Sequence, residues 1–246
     1  MLTETRTAAA RAVDLQKVYG AGDAAVEALR GISVVFAPGE FAAIMGPSGS
    51  GKSTLLHCMA GLDTPTSGEV FIGDVELTSL SERQLTRLRR DRVGFVFQAY
   101  NLVPTLTAAE NITLPLDIAG RDIDGPWFDR VVDAVGLRDR LGHLPSELSG
   151  GQQQRVAGAR ALVSRPDVVF ADEPTGNLDS RSSAELLTFL RSAVDDHGQT
   201  IVMVTHDAMA AGRSDRTIFL ADGRVVDEMS APSSDKVLDR LKSLEV

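Results

Sequence analysis

At 246 residues, with 43% hydrophobic and 24% charged residues, the chain can bury about 70–75% of its unfolded surface as one lobed domain or two small ones. A net charge of −9 argues against a general nucleic-acid binder, which carries a basic face, but leaves room for a local positive pocket. The single cysteine, Cys58, excludes an internal disulfide and reads as a small buried hydrophobe, and no apolar run approaches the roughly 18 residues that span a bilayer.

Residues 1–11 are small and polar, lack the apolar core of a signal peptide, and read as a disordered lead. A protein made and kept soluble is expected; at a membrane, another chain would have to anchor it. Strand-like segments follow in "AVDLQKVY", "GISVVFAPGE" and "FAAIMG", with Pro38-Gly39 as a turn between the last two. "GPSGSGKST" then opens a helix, and "GEVFIGDVEL" reads as a hairpin bending at Gly73-Asp74.

The middle of the chain turns helical. Ser81-Glu82-Arg83-Gln84 is a capping box opening a basic helix, and Thr107-Ala108-Ala109-Glu110 is a second box. Pro126 to Val135 reads as a helix stopped by Gly136. Ser149-Gly150-Gly151-Gln152 is a third box, whose helix runs to about Ser164, before Arg165-Pro166. Strands return in "DVVFADE" and "TIVMVTH", apolar runs of the kind buried on both faces in a parallel sheet. Between them, Leu186, Leu187, Leu190 and Val194 fall at helical spacing before Gly198. A hairpin around Asp222-Gly223 and an amphipathic tail helix, "DKVLDRLKSLEV", complete the chain. The pattern is α/β: a βα core interrupted by a helical insertion, whose flanking segments must meet to complete one parallel sheet.

Gly46-Pro47-Ser48-Gly49-Ser50-Gly51-Lys52-Ser53 matches G-x-x-x-x-G-K-[ST] between a strand and a helix. Glycines let backbone N–H groups face a phosphate chain, Lys52 can reach the terminal phosphates, and the Ser53 hydroxyl is placed for Mg²⁺. The alternative is a glycine-rich turn that binds nothing. Asp172 and Glu173 end a buried strand, where ligands of open α/β sheets sit; one carboxylate can hold Mg²⁺ and the next can act as general base. His206 ends the next strand similarly, within reach of a γ-phosphate. Gln98 can ligate Mg²⁺ or orient water where core passes into insertion. The bland readings are that Asp172 caps a turn and that His206 is structural.

Gly46–Thr54, Gln98, Leu148–Gln152, Val168–Glu173, Asn177–Asp179 and His206 follow one another as the Walker A, Q-loop, signature, Walker B, D-loop and switch histidine do in ATP-binding cassette (ABC) ATPases. The resemblance spans roughly residues 12 to 228. It implies an ABC-type P-loop NTPase: a RecA-like parallel-sheet core (12–97 and 165–230), an antiparallel β subdomain, a helical subdomain (98–164) and a C-terminal helix (232–246). It implies nucleotide contacts from Tyr19, stacked on adenine, and from Gly46, Ser48, Gly49, Ser50, Gly51, Lys52, Ser53 and Thr54. Mg²⁺ would be held by Ser53, Gln98 and Asp172, and catalysis carried by Glu173, His206 and Gln98. In such ATPases two domains pack head to tail, so Ser149, Gly150, Gly151, Gln152 and Asp179 would serve the ATP of a second copy. One copy of each motif therefore implies a homodimer.

"ADEPTGNLDS", "AYNLVPTLTAAENITLPL" and "GLDTPTSGEV" resemble the branch that serves lipoprotein release, macrolide or peptide export and cell division. That likeness implies a cytoplasmic ATPase on the inner face of the membrane, driving a four-span permease that touches the Gln98–Glu110 region. A regulatory ATPase acting in cell division or cell-wall hydrolase activation is the alternative. DNA-repair heads of related design carry coiled coils or zinc modules that this chain lacks, and no nucleic acid is expected. The apolar "NLVPTL" would be odd as free surface, so Leu102, Val103 and Leu106 either meet a partner or pack internally. Tyr100 and Trp127 are expected to pack within the helical insertion.

Overall fold

The computed structural model describes residues 8–244. Its first half runs β1 (Ala10–Tyr19), β2 (Val26–Phe36), β3 (Phe41–Met45), α1 (Lys52–Met59), β4 (Ser67–Ile72), β5 (Val75–Glu76), α2 (Glu82–Arg92), β6 (Val93–Val96), α3 (Ala108–Ala119) and α4 (Gly125–Val135). Its second half runs α5 (Gly150–Val163), β7 (Val168–Asp172), α6 (Ser180–His197), β8 (Ile201–Val204), α7 (Ala208–Ala211), β9 (Arg216–Ala221), β10 (Arg224–Ser230) and α8 (Ser234–Leu244).

A six-stranded sheet ordered β10-β9-β3-β8-β7-β6 forms the middle layer. All its pairings are parallel except β9 with β10. Alternate side chains of β3 enter opposite cores. Phe41, Ala43 and Met45 meet the helices of the insertion, while Ala42 and Ile44 face α1 and the second sheet. This two-sided burial is why β3, β7 and β8 read as unbroken apolar runs.

The second sheet is antiparallel, ordered β2-β1-β4-β5. It begins earlier than the sequence suggests. Ala10 pairs with Phe36 on one side and Ile72 on the other, so residues 10 and 11 belong to the sheet and not to a disordered lead. Ala10 and Ala12 are fully buried on its inner face, where small residues let the layers approach. An alanine run carries little hydrophobic signal, which hides the strand. Residues 1–7 of the expected lead lie outside the described residues.

The insertion is helical as expected, with each cap in place. Thr107 and Glu110 box α3, Asp124 caps α4 through Trp127 N, and Ser149 and Gln152 box α5. Trp127 packs there, and its indole N–H reaches the carbonyls of Leu162 and Val163 at the open C-terminal end of α5. The stretch 98–107 has no regular element. It wraps around Asn111, which is fully buried. Asn111 accepts from Val103 N at 2.8 Å and donates to the carbonyls of Val103, Leu106 and Thr107. Leu102, Val103 and Leu106 are half-buried, neither free surface nor core, and Leu102 leans on the main core.

Candidate active site

Strand β3 delivers the chain into the glycine loop at the C-terminal edge of the middle sheet. Gly46 has φ +152°, and a Cβ there would lie 2.0 Å from Leu220 O of β9, so only glycine fits. Gly51, at φ +99°, is the N-cap of α1 and would drive a Cβ to 2.5 Å from Ala28 O. The loop is thus pressed between β9 and β2, and the Gly223 amide of the β9–β10 turn also donates to Ser50 O. Its outward side, Ser48 and Gly49, is exposed. The first turn of α1 carries no acidic residue, so its bare N–H groups and positive dipole end are open to an anion.

Lys52 folds back over the loop, donating to Gly46 O at 2.9 Å and Pro47 O at 2.8 Å. Burial pushes its pKa down, only partly countered by the nearby Glu173 and Asp172 carboxylates. Those carboxylates end β7. The Ser53 hydroxyl donates to Asp172 Oδ1 at 3.0 Å. Glu173 sits in the left-handed region at φ +48°, a costly conformation for a side chain of its size. His206, beyond the end of β8, places Nδ1 2.8 Å from Glu173 Oε2. The glutamate is only 17% exposed while the histidine is 72% exposed, so the pair offers an oriented, partly desolvated carboxylate beside an accessible imidazole.

The site therefore combines a glycine loop with an open helix start, a hydroxyl–carboxylate pair of hard oxygens, and a carboxylate held by a histidine. Among the described residues no group of three or more His, Cys, Asp or Glu is arranged to hold a metal. The donor set fits a cation that takes only one or two protein oxygens and fills its shell with phosphate and water, as Mg²⁺ does.

Tyr19 flanks this cluster at the end of β1. Its hydroxyl donates to Asp63 Oδ2 at 2.6 Å, Lys17 pairs with the other carboxylate oxygen, and the ring is 42% exposed. Burial pushes the Asp63 pKa up, but the bonds from Lys17 and Tyr19 more than offset it and leave it lowered.

The remaining predicted residues stand on a second cluster. Ser149 and Gln152 start α5, where Ser149 N donates to Gln152 Oε1 at 2.9 Å. Gly151 packs against Ser182 of α6, and Asp179 caps α6 by accepting from Arg181 N and Ser182 N. Gln98 is exposed, with its side-chain amide nitrogen against Gly176 and its backbone carbonyl accepting from Asn177 Nδ2. Both contacts run to the 176–177 turn, and among the described residues no hydrogen bond joins Gln98 to the Ser53–Asp172 pair. Tyr100 meets the insertion at Gly150 and Arg160, as expected, and also reaches past it to Asn177. Arg160 holds the carbonyls of Tyr100 and Asn101, so the Tyr100 hydroxyl lands against Gly150 and 3.5 Å from Asn177 O, between the two helix starts.

Two site residues escape the sequence reading. Gln154, fully buried in α5, donates to Phe97 O at 3.0 Å and Pro174 O at 2.7 Å, tying α5 to the chain on both sides of the site. His57 sits one helical turn after Ser53 and places Nε2 3.3 Å from Asp172 Oδ2. The bond to Asp172 raises the His57 pKa against the opposing effect of burial. Its i,i+4 relation to Ser53 was the available signal.

A protein-family model described as ABC transporter matches residues 29–176. The lipoprotein-releasing system ATP-binding protein LolD of Geobacter metallireducens is 48% identical over 217 residues, covering 87% of this chain and 96% of the relative. The macrolide export ATP-binding/permease protein MacB of Marinobacter nauticus is 46% identical over 220 residues, covering 89% of this chain but only 34% of the relative. A solved dimer of the ATP-binding cassette MJ0796, in a post-hydrolysis state bound to ADP and Pi, superposes with a TM-score of 0.82 at 40% identity, covering 91% of this chain and 99% of the other.

Proposed function

This chain belongs to the ABC transporter family of ATP-binding proteins, and from that premise we propose that it hydrolyses ATP as one of two identical copies that drive a separate membrane permease. The observation that carries the reading is the convergence of Lys52, Ser53, Asp172, Glu173 and His206 at one sheet edge, while a second open helix start, Ser149 to Gln152, stands on another helix.

ATP enters along Tyr19, with its phosphates in the loop from Gly46 to Thr54. Lys52 exchanges the carbonyls of Gly46 and Pro47 for phosphate oxygens, a charge-assisted contact. Mg²⁺, held by Ser53 and Asp172 with Gln98 as a further oxygen donor, would neutralise charge on the phosphates. Glu173 takes a proton from the attacking water as the new P–O bond forms and the bond to the leaving ADP oxygen breaks. His206 orients Glu173 and faces the γ-phosphate. Ser149, Gly150 and Gly151 of the second copy cap that phosphate with backbone N–H groups and a helix dipole, and Asp179 supports the contact across the dimer. ATP thereby joins the two copies, and its hydrolysis lets them part.

Among the described residues no helix is long and apolar enough to cross a membrane. LolD, matched over nearly its whole length, is named as an ATP-binding protein alone, which favours a permease on a separate chain that docks from the cytoplasmic side. A groove of about 280 Å³ lined by Arg89, Phe97, Asn101, Pro115 and Arg160 supports a contact beside Gln98. Relatives named for lipoprotein release and macrolide export favour an export or mechanotransmission role on lipoprotein, peptide or antibiotic-type substrates over a regulatory role in cell division.

The test is a tagged Glu173→Gln protein incubated with membranes and ATP. It is expected to be dimeric by light scattering, to turn over very slowly, and to co-purify with a permease. Lys52→Ala should lose ATP binding. Hydrolysis by Glu173→Gln at the wild-type rate would remove Glu173 as the base, and recovery of soluble partners alone would remove the permease.

A further inference from the structure

His57 lies outside the segments that carry the family resemblance, yet it touches the carboxylate on which metal binding depends. We propose that His57 is a positioning residue: it holds one oxygen of Asp172 so that the other is presented to the metal, and it links that carboxylate to the aromatic pair lining the groove beside Gln98. This rests on the reading of Ser53 and Asp172 as a metal-binding pair.

The geometry comes from one helix. Ser53 and His57 are four residues apart in α1 and share a face. Ser53 Oγ addresses Asp172 Oδ1 at 3.0 Å and His57 Nε2 addresses Oδ2 at 3.3 Å. Each carboxylate oxygen thus has its own partner, one turn apart, and the carboxylate plane is set by the helix that also carries Lys52. With Oδ2 occupied by His57, Asp172 offers a cation one oxygen, not two. That suits a small ion bound through phosphates and water better than a bidentate cage.

The other side of the imidazole meets β6. The rings of His57 and Phe95 lie 6.1 Å apart, tilted by 42°, and Phe95 stacks on Phe97 at 4.1 Å. Phe95 and Phe97 both line the groove described above. Strand β6 is also the ladder neighbour of β7, with Val96 opposite Ala171. A shift of Phe97 therefore reaches Asp172 by two routes, the backbone ladder and His57. Only the second is removed by changing the histidine, which makes the link measurable instead of merely spatial.

The experiment measures ATP affinity of the full-length protein, first in EDTA and then across a Mg²⁺ titration. The proteins are wild type, His57→Ala, His57→Gln, Asp172→Asn, and Phe97→Ala alone and combined with His57→Ala. We expect His57→Ala to leave metal-free ATP affinity within about twofold and to raise the half-saturating Mg²⁺ concentration about tenfold, the order expected for losing one hydrogen bond to a charged group. His57→Gln, whose amide nitrogen matches Nε2 in reach and restores a donor to Asp172, should recover most of that shift. Phe97→Ala should shift Mg²⁺ half-saturation in the wild-type background and by clearly less beside His57→Ala, where only the ladder route remains. An unchanged Mg²⁺ curve in His57→Ala, with Asp172→Asn defective, overturns the role of His57 and leaves the metal pair standing. An unchanged curve in Asp172→Asn overturns the metal pair and the proposal with it. Equal Phe97→Ala shifts in both backgrounds overturn the link to the groove.

Discussion

Asn111→Ala is the most informative single change outside the site. Its side chain holds the 98–107 stretch in shape, and the loss can be worked bond by bond. Val103 O keeps Leu106 N at 3.2 Å, and Thr107 O keeps the helical bond from Asn111 N at 2.9 Å. Val103 N loses its acceptor and Leu106 O its amide donor. An orphaned, largely buried donor costs about 1–3 kcal/mol and a lost carbonyl bond about 1 kcal/mol. A small void adds about 1 kcal/mol, and the better helix propensity of alanine returns about 0.6 kcal/mol. The net is a loss of about 3 kcal/mol, or a Tm lower by roughly 6–12 °C for a chain this size. Urea unfolding gives the global figure. Hydrogen exchange gives the local one: Val103 should lose protection by about a hundredfold, each factor of ten being about 1.4 kcal/mol. ATP affinity should be unchanged, because no hydrogen bond of Asn111 reaches the glycine loop. A loss under about 1 kcal/mol with Val103 still protected would refute the accounting.

Four further outcomes are expected. Gly151→Ala places a Cβ 2.4 Å from Ser182 Oγ and must shift the start of α5; in the Glu173→Gln background it should keep ATP binding yet lose the ATP-induced dimer, read by light scattering. Asp63→Asn removes the tether of Tyr19 and should weaken ATP binding by about threefold to tenfold. The lowered Asp63 pKa means its stabilisation is present above the ordinary carboxylate value of 3.8 and lost as pH falls through the folded value, so Asp63→Asn should flatten that part of an acid-unfolding profile. Burial pushes the Cys58 thiol up to about 12, so a thiol reagent at pH 8 should label it only at the rate of unfolding; rapid labelling of native protein would contradict its burial.

Much of this was legible locally. Glycine loop, capping boxes and buried strands are written in contiguous residues, because caps and side-chain alternation act over one to four positions. What stayed hidden depends on partners distant in the chain. Ala10 becomes a strand residue only because Phe36 and Ile72 flank it. Tyr100 takes its direction from Arg160, and His57 acquires meaning from Asp172. The four-residue α7 is too short to show a period. The register that sets β3 between β8 and β9 is likewise non-local.

That placement of β3 governs the order in which the protein can come alive during synthesis. Both edges of the strand feeding the glycine loop are closed by residues 201–221, and Leu220 O is the wall against Gly46. A ribosome adding about 5–20 residues per second needs roughly 10–30 s to travel from residue 45 to residue 221. Throughout that interval the phosphate loop has its β2 side but lacks the β9 wall. A product broken off before β9 lacks one neighbour of β3 and the wall against Gly46, so it is expected to bind ATP less tightly than the finished chain.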